Sequence, residues 1–234
     1  MTKTATNGVI ALVAVAILAV GGYYAFVRST AHSGNVAPVE GSVSQTDLSQ
    51  ATASLKSAIE ASGGAAFSFQ AQPTYGHYAN FGIVKQVNEV KSVGLVDEMA
   101  LTFRGKTDNE NAEVNPKTGQ VVSFHRETNY GDVAKTQTQL EADVRSFLAK
   151  VYPNFTQVEP TLTFENNSKT GRPEGSNIFF TWNDNNYQKQ LPNGVEAERA
   201  PFIQVGITST GYIFSYNNTI DLYRNALKEF NLTQ

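Results

Sequence analysis

Glu196 and Glu198 stand two residues apart, and on an extended strand they share one face, a placement that suits paired acid–base work or a cation. Arg199 and the polar run 183–194 beside them favour a solvated strand edge instead. Asp97 with Glu98 and Asp108 with Glu110 are the other close carboxylate pairs. The three histidines, His32, His77 and His125, show no i, i+4 metal-ligand spacing. The oxygen-rich stretches 108–111 and 183–186 lack the roughly 12-residue calcium loop with its central Gly and closing Glu, so they read as turn tips. Serines are many, but none lies in a Gly-x-Ser-x-Gly or Ser-x-x-Lys context; Lys56 follows Ser54 one position too early. Nor does a Gly-rich loop open a helix in a phosphate-cradling pattern. The absence of cysteine closes disulfides, thiolate metal sites, cysteine nucleophiles and a lipid-anchored amino terminus. These patterns assign no catalytic residue, no metal and no cofactor, and the expectation is a protein that is not an enzyme.

Aromatic residues say more. The chain has 14 Phe, 10 Tyr and one Trp, most at alternating positions that suit a core. Tyr75, Tyr78, Phe81 and Tyr187 fall outside the clear strand patterns. Aromatics in polar surroundings anchor peptides or glycans, so these four are the candidate binding residues. Charge narrows the partners: 18 Lys and Arg against 21 Asp and Glu give −3, with no basic stripe, which argues against nucleic acid.

Residues 8–27, GVIALVAVAILAVGGYYAFV, carry no charge. At about 1.5 Å per residue a helix of this length crosses the roughly 30 Å hydrocarbon core. Tyr23 and Tyr24 suit the interface and Arg28 closes the run. Ser29-Thr30-Ala31 also offers a signal-peptidase site, but the run exceeds the roughly 7–15 apolar residues of a signal peptide. The sequence therefore predicts an uncleaved, single-pass anchor over residues 1–28, with the remainder outside the cell membrane.

Residues 29–46 are rich in Ser, Gly, Ala, Val and Pro without periodicity and read as a flexible linker. Leu48, Ala51, Leu55, Ala58 and Ile59 then share one helical face, with Thr46 as the expected cap and Gly63-Gly64 as the stop. A second helix is signalled by Leu140, Val144, Phe147, Leu148 and Val151, with capping-box spacings at Thr136/Gln139 and Thr138/Glu141 and a stop at Pro153. Between and after them the period falls to two: Met99, Leu101 and Phe103; a hairpin over 111–127 turning at Asn115–Gly119; Leu162 and Phe164; Ile178, Phe180 and Trp182; Ile203, Val205 and Ile207; Tyr212, Phe214 and Tyr216. A closing helical pattern spans 220–230. Thr118–Phe124 aligns without gaps to Thr210–Tyr216, which sets a repeat of 92 residues. The expected fold class is α+β: a transmembrane helix, then two units, 47–131 and 132–234, in each of which a helix covers its own antiparallel sheet.

The order helix, strand, turn, strand, with Asn115-Pro116-Lys117-Thr118-Gly119-Gln120-Val121-Val122 at the turn, resembles PepSY-type domains. The second copy, Ile207 to Ile213, lacks the Asp or Asn that opens the turn. The tandem arrangement is similar to paired PepSY-like units in anchored or secreted proteins, over about residues 47–218. The resemblance implies an extracytoplasmic binding or regulatory protein of the cell envelope, acting on an envelope protein or peptidase, and carries over no catalytic residue. Two other classes stay open: an enzyme on envelope polymers using Glu196 and Glu198, and a structural spacer.

Overall fold

Two helix starts are set by local hydrogen bonds. Ser44 lies in extended backbone and its hydroxyl accepts the Asp47 amide at 3.1 Å, satisfying a donor that every helix start leaves open. Helix α1 (Gln45–Ala61) follows, with Ser62 as its C-cap and Gly63 at φ 75° just beyond. Helix α2 (Gln137–Val151) opens on the reciprocal box of Thr136 and Gln139. Of the two capping spacings at this helix, the structure uses this one. At α1 the cap is Ser44 in place of Thr46, so the helix takes in the last two residues of the expected linker.

The computed structural model describes residues 44–63, 69, 74–77, 85–86, 89–92, 99–107, 109–116, 118–166, 177–190, 195–196 and 200–221, all within the compact unit Ser42–Gln234. Among the described residues no helix is long and apolar enough to cross a membrane; the apolar run 8–27 lies outside them.

In chain order the strands are β1 (Thr74–His77), β2 (Lys85–Gln86), β3 (Glu89–Ser92), β4 (Met99–Arg104), β5 (Asn111–Val114), β6 (Val121–His125), β7 (Thr163–Asn166), β8 (Asn177–Asn183), β9 (Val195–Glu196), β10 (Phe202–Thr208) and β11 (Ile213–Asn218). A short helix α3 (Phe155–Val158) and a 3₁₀ turn (Glu159–Thr161) lead from α2 to β7. Eight strands form one antiparallel sheet in the order β1-β4-β5-β6-β11-β10-β8-β7. A small second sheet has the order β3-β2-β9. The chain is thus α+β.

Alternation puts Leu101, Phe103, Val114, Phe124, Phe180 and Trp182 on one side of the large sheet, where the apolar stripes of both helices cover them. Leu55, Leu140, Val144, Phe147 and Leu148 are all buried in that core, each worth about 1.5–3 kcal/mol of burial. The two sets of helix and strands do not each close a sheet of their own. β6 pairs with β11, and one core runs beneath both helices.

The joint follows the sequence repeat. Ser44 and Thr136 cap the helices 92 residues apart, and Gly119 and Gly211, with φ 70° and 94°, close the two hairpins at the same separation. Both hairpins carry a bulge, the extra residue being Val122 in β6 and Phe214 in β11. Across the joint Phe124 lies opposite Tyr216, its own counterpart in the repeat. That register is what a two-fold axis through this pair requires.

The bulge overturns one expectation. Strict alternation would give Phe214 and Tyr216 the same face. The extra residue reverses it: Ile213 and Tyr216 enter the core, while Phe214 points to the other side, against Phe179 and His125.

Candidate binding face

Away from the helices the same alternation lays polar residues in line. Thr102, Glu113, Ser123, Asn217, Gln204, Thr181 and Glu165 stand directly opposite one another on seven successive strands, from β4 to β7. Neighbouring strands are about 4.8 Å apart, so the row is a ladder of hydrogen-bonding groups at that spacing. Two rungs are joined: Ser123 Oγ donates to Glu113 Oε2 at 2.9 Å, and Gln204 Nε2 to Thr181 Oγ1 at 3.1 Å. Most of the row is half-buried, with Thr181 buried and Glu165 exposed.

An aromatic line flanks it. His125 meets Phe214 edge-on at 6.0 Å, and Phe214 meets Phe179 edge-on at 5.6 Å. Gly206 lies between them, and a Cβ there would come within 2.7 Å of the Phe214 ring and 2.9 Å of the Phe179 ring. The missing side chain is therefore what lets the two rings close over β10.

Electrostatics distinguish the two titratable groups of this face. Burial raises the Glu113 carboxyl above the usual carboxylate range, and the Ser123 hydroxyl bond only partly offsets it. Burial lowers the His125 imidazole, favouring its neutral form. For Glu113 the folded state holds its proton more tightly than the unfolded chain. Its contribution is fully present below the unfolded pKa and is lost as pH rises through the folded one. Glu113→Gln keeps an acceptor for Ser123 and carries no charge. The variant is expected to be more stable than the wild type at neutral pH, and the difference should close as pH falls below the unfolded carboxyl range. Thermal melts of both proteins from pH 4 to 8 check this; a constant difference across that range would contradict it.

A second feature lies at the sheet edge. β7 pairs with β8 on one side and has no strand partner on the other among the described residues. Its Phe164 is 36% exposed, lies near-parallel to Phe180 at 6.2 Å and leans on Trp182 at 4.9 Å. Arg145 of α2 places its guanidinium over both Phe164 and Trp182, at 5.2 and 5.5 Å. Glu141 and Glu159 hold that guanidinium, and Trp182 Nε1 donates to Glu159 at 3.3 Å.

The residues singled out in sequence are distributed differently. Tyr75 lies in β1, in register with Leu101, whereas Tyr78 and Phe81 fall outside the described residues. Tyr187 is a correction: it sits in a 3₁₀ turn (Tyr187–Gln190) and is 3% exposed, so it is not an exposed loop anchor. The loop turns inward because Asp184 Oδ1 accepts the Asn186 amide at 3.2 Å and the Asp184 amide bonds Pro201 O, tying its start to β10. Glu196 lies in β9 opposite Lys85, and Glu198 is outside the described residues. Among the described residues no three His, Asp or Glu side chains gather as a metal site. Sequence reading missed the polar row, because each member is an ordinary strand residue until register aligns it with the next.

Comparison with known protein families, curated proteins and solved structures finds no match to the chain.

Proposed function

We propose that this is a membrane-anchored, extracytoplasmic binding or regulatory protein of the cell envelope, built of two PepSY-like halves, with residues 8–27 in the lipid. It receives an extended segment of an envelope protein, a peptidase among the candidates, as an added strand on β7. The observation that carries the reading is the β7 edge itself. Sheet edges are blunted by short length, charge, Pro or bulges; β7, Thr-Phe-Glu-Asn, is short and carries Glu165, but it has no Lys, Pro or bulge, pairs regularly with β8 and presents an exposed Phe under Arg145. Main-chain hydrogen bonds would supply affinity, and the Phe164 shelf would select the partner's facing side chain.

The test places a photo-cross-linking amino acid at position 164 of the full-length chain in its native membrane. The expected result is an adduct with one envelope protein, on a chain that sediments with membranes and whose carboxy-terminal tag is cut by protease added outside. Lack of any adduct at 164 would reject strand addition, and a protected tag would reject the location.

A further inference from the structure

The outer side of β7 is open: Thr163, Phe164 and Glu165 are exposed and Asn166 is half-buried. Strand alternation gives this edge two faces. Away from the helices Glu165, in register with Thr181, presents an exposed carboxylate that forms no ion pair among the described residues. Toward the helices lies Phe164, with the Arg145 guanidinium over its ring. Arg145 is one cation between two carboxylates, Glu141 and Glu159, and all three side chains are partly exposed. The helix side of the edge therefore carries a surplus of negative charge beside an aromatic shelf. Both faces of the strand are thus acidic, each through its own residues.

We propose that the segment received on β7 is basic and sets a Lys or Arg opposite Glu165. The inference rests on strand addition at β7 and names the chemistry of the strand that is added. A residue directly opposite Glu165 on the incoming strand has its Cβ about 4.5–5.5 Å away on the same face, so an opposite charge there is attracted and a like charge repelled. The residue opposite Phe164 falls on the helix side. There a Lys or Arg stem can lie along the ring while its head reaches toward the surplus carboxylate. Glu165 so has two effects on one edge: it blunts β7 against acidic strands and favours a basic one. A second copy of the chain is disfavoured by the same rule, since its β7 brings another glutamate and no cation.

The test titrates the full-length chain, in an uncharged detergent, with three heptapeptides in which Thr alternates with Lys, with Gln or with Glu, so that each presents one residue type along one face. Hydrogen exchange at the β7 amides reads strand addition, and the order of affinities reads the charge preference. The Lys peptide is expected to protect β7 and to bind about tenfold tighter than the Glu peptide, with the Gln peptide between them. Glu165→Lys, made at an exposed side chain, should reverse that order at an unchanged melting temperature. Equal affinities, or an order that Glu165→Lys leaves as it was, would overturn the basic class, while strand addition would still stand on the β7 protection. Lack of β7 protection by every peptide would reject strand addition as well. Protection of β7 in the chain alone that falls on dilution would assign the edge to a second copy and overturn the inference. Should Glu165→Lys not fold, the order of the three peptides on the wild type decides.

Discussion

Phe124→Ala is expected to lower the stability of the folded body by about 3–5 kcal/mol, the range for truncating a fully buried aromatic. Phe124 is 1% exposed and lies at the joint between the two halves, opposite Tyr216. Its ring meets Phe147 of α2 edge-on at 5.9 Å and Tyr216 at 6.1 Å, while Phe147 and Tyr216 meet at 5.6 Å. Three elements therefore converge on one side chain. Truncation removes apolar burial and two aromatic pairs at once, each pair worth about 0.5–1.5 kcal/mol beyond its area. The backbone cannot close the gap without disturbing the β6–β11 pairing. Urea unfolding gives the answer as a shift in midpoint at constant slope. Phe124→Leu, which retains most of the volume, should lose markedly less. A loss below about 1 kcal/mol for the alanine variant would mean the joint is not packed as described.

Arg126→Ala is expected to cost about 3 kcal/mol, through groups left without partners rather than through a broken ion pair. Arg126 is 5% exposed, and among the described residues no carboxylate forms an ion pair with its guanidinium. Its Nε and Nη2 both donate to Ile213 O, at 3.0 and 2.7 Å, and Nη2 donates also to Ser62 Oγ at 2.6 Å. The plane lies over the Tyr212 ring at 4.1 Å. One side chain so ties the end of α1 to the bulge of β11, across the two halves. Burial lowers the Arg126 pKa, but a guanidinium stays charged throughout the working range, and the effect should be the same from pH 5 to 9. For a body of this size about 3 kcal/mol corresponds to a fall in Tm of roughly 6–12 °C. Arg126→Lys supplies a charge without the planar fork and should recover only part of it. Full recovery by lysine would show that charge alone is needed there.

Much of this architecture was legible before any coordinates. Leu140, Val144, Phe147 and Leu148 announce a helix because a stripe at that spacing has one use, and all four are buried. The Asn115–Gly119 turn was readable because Gly119 takes a φ that other residues adopt only at a cost. The 92-residue repeat was visible at one turn, and its meaning widened when the caps, the bulges and the Phe124–Tyr216 register fell on the same offset. Tyr187 and Phe214 were misread for opposite reasons. Tyr187 sits in a polar stretch that folds inward on Asp184, and Phe214 follows a bulge that shifts the two-residue period by one.

Local pattern specifies the elements, their apolar faces and their duplication, because periodicity and turn chemistry act over a few neighbouring residues. Long-range pairing adds that the halves share one sheet, that seven ordinary strand residues form a single polar row, and that Arg126 spans α1 and β11. Those features depend on which strand lies beside which and in what register. Register is set by pairing between residues as far apart as Ser123 and Asn217, about which local pattern carries no information.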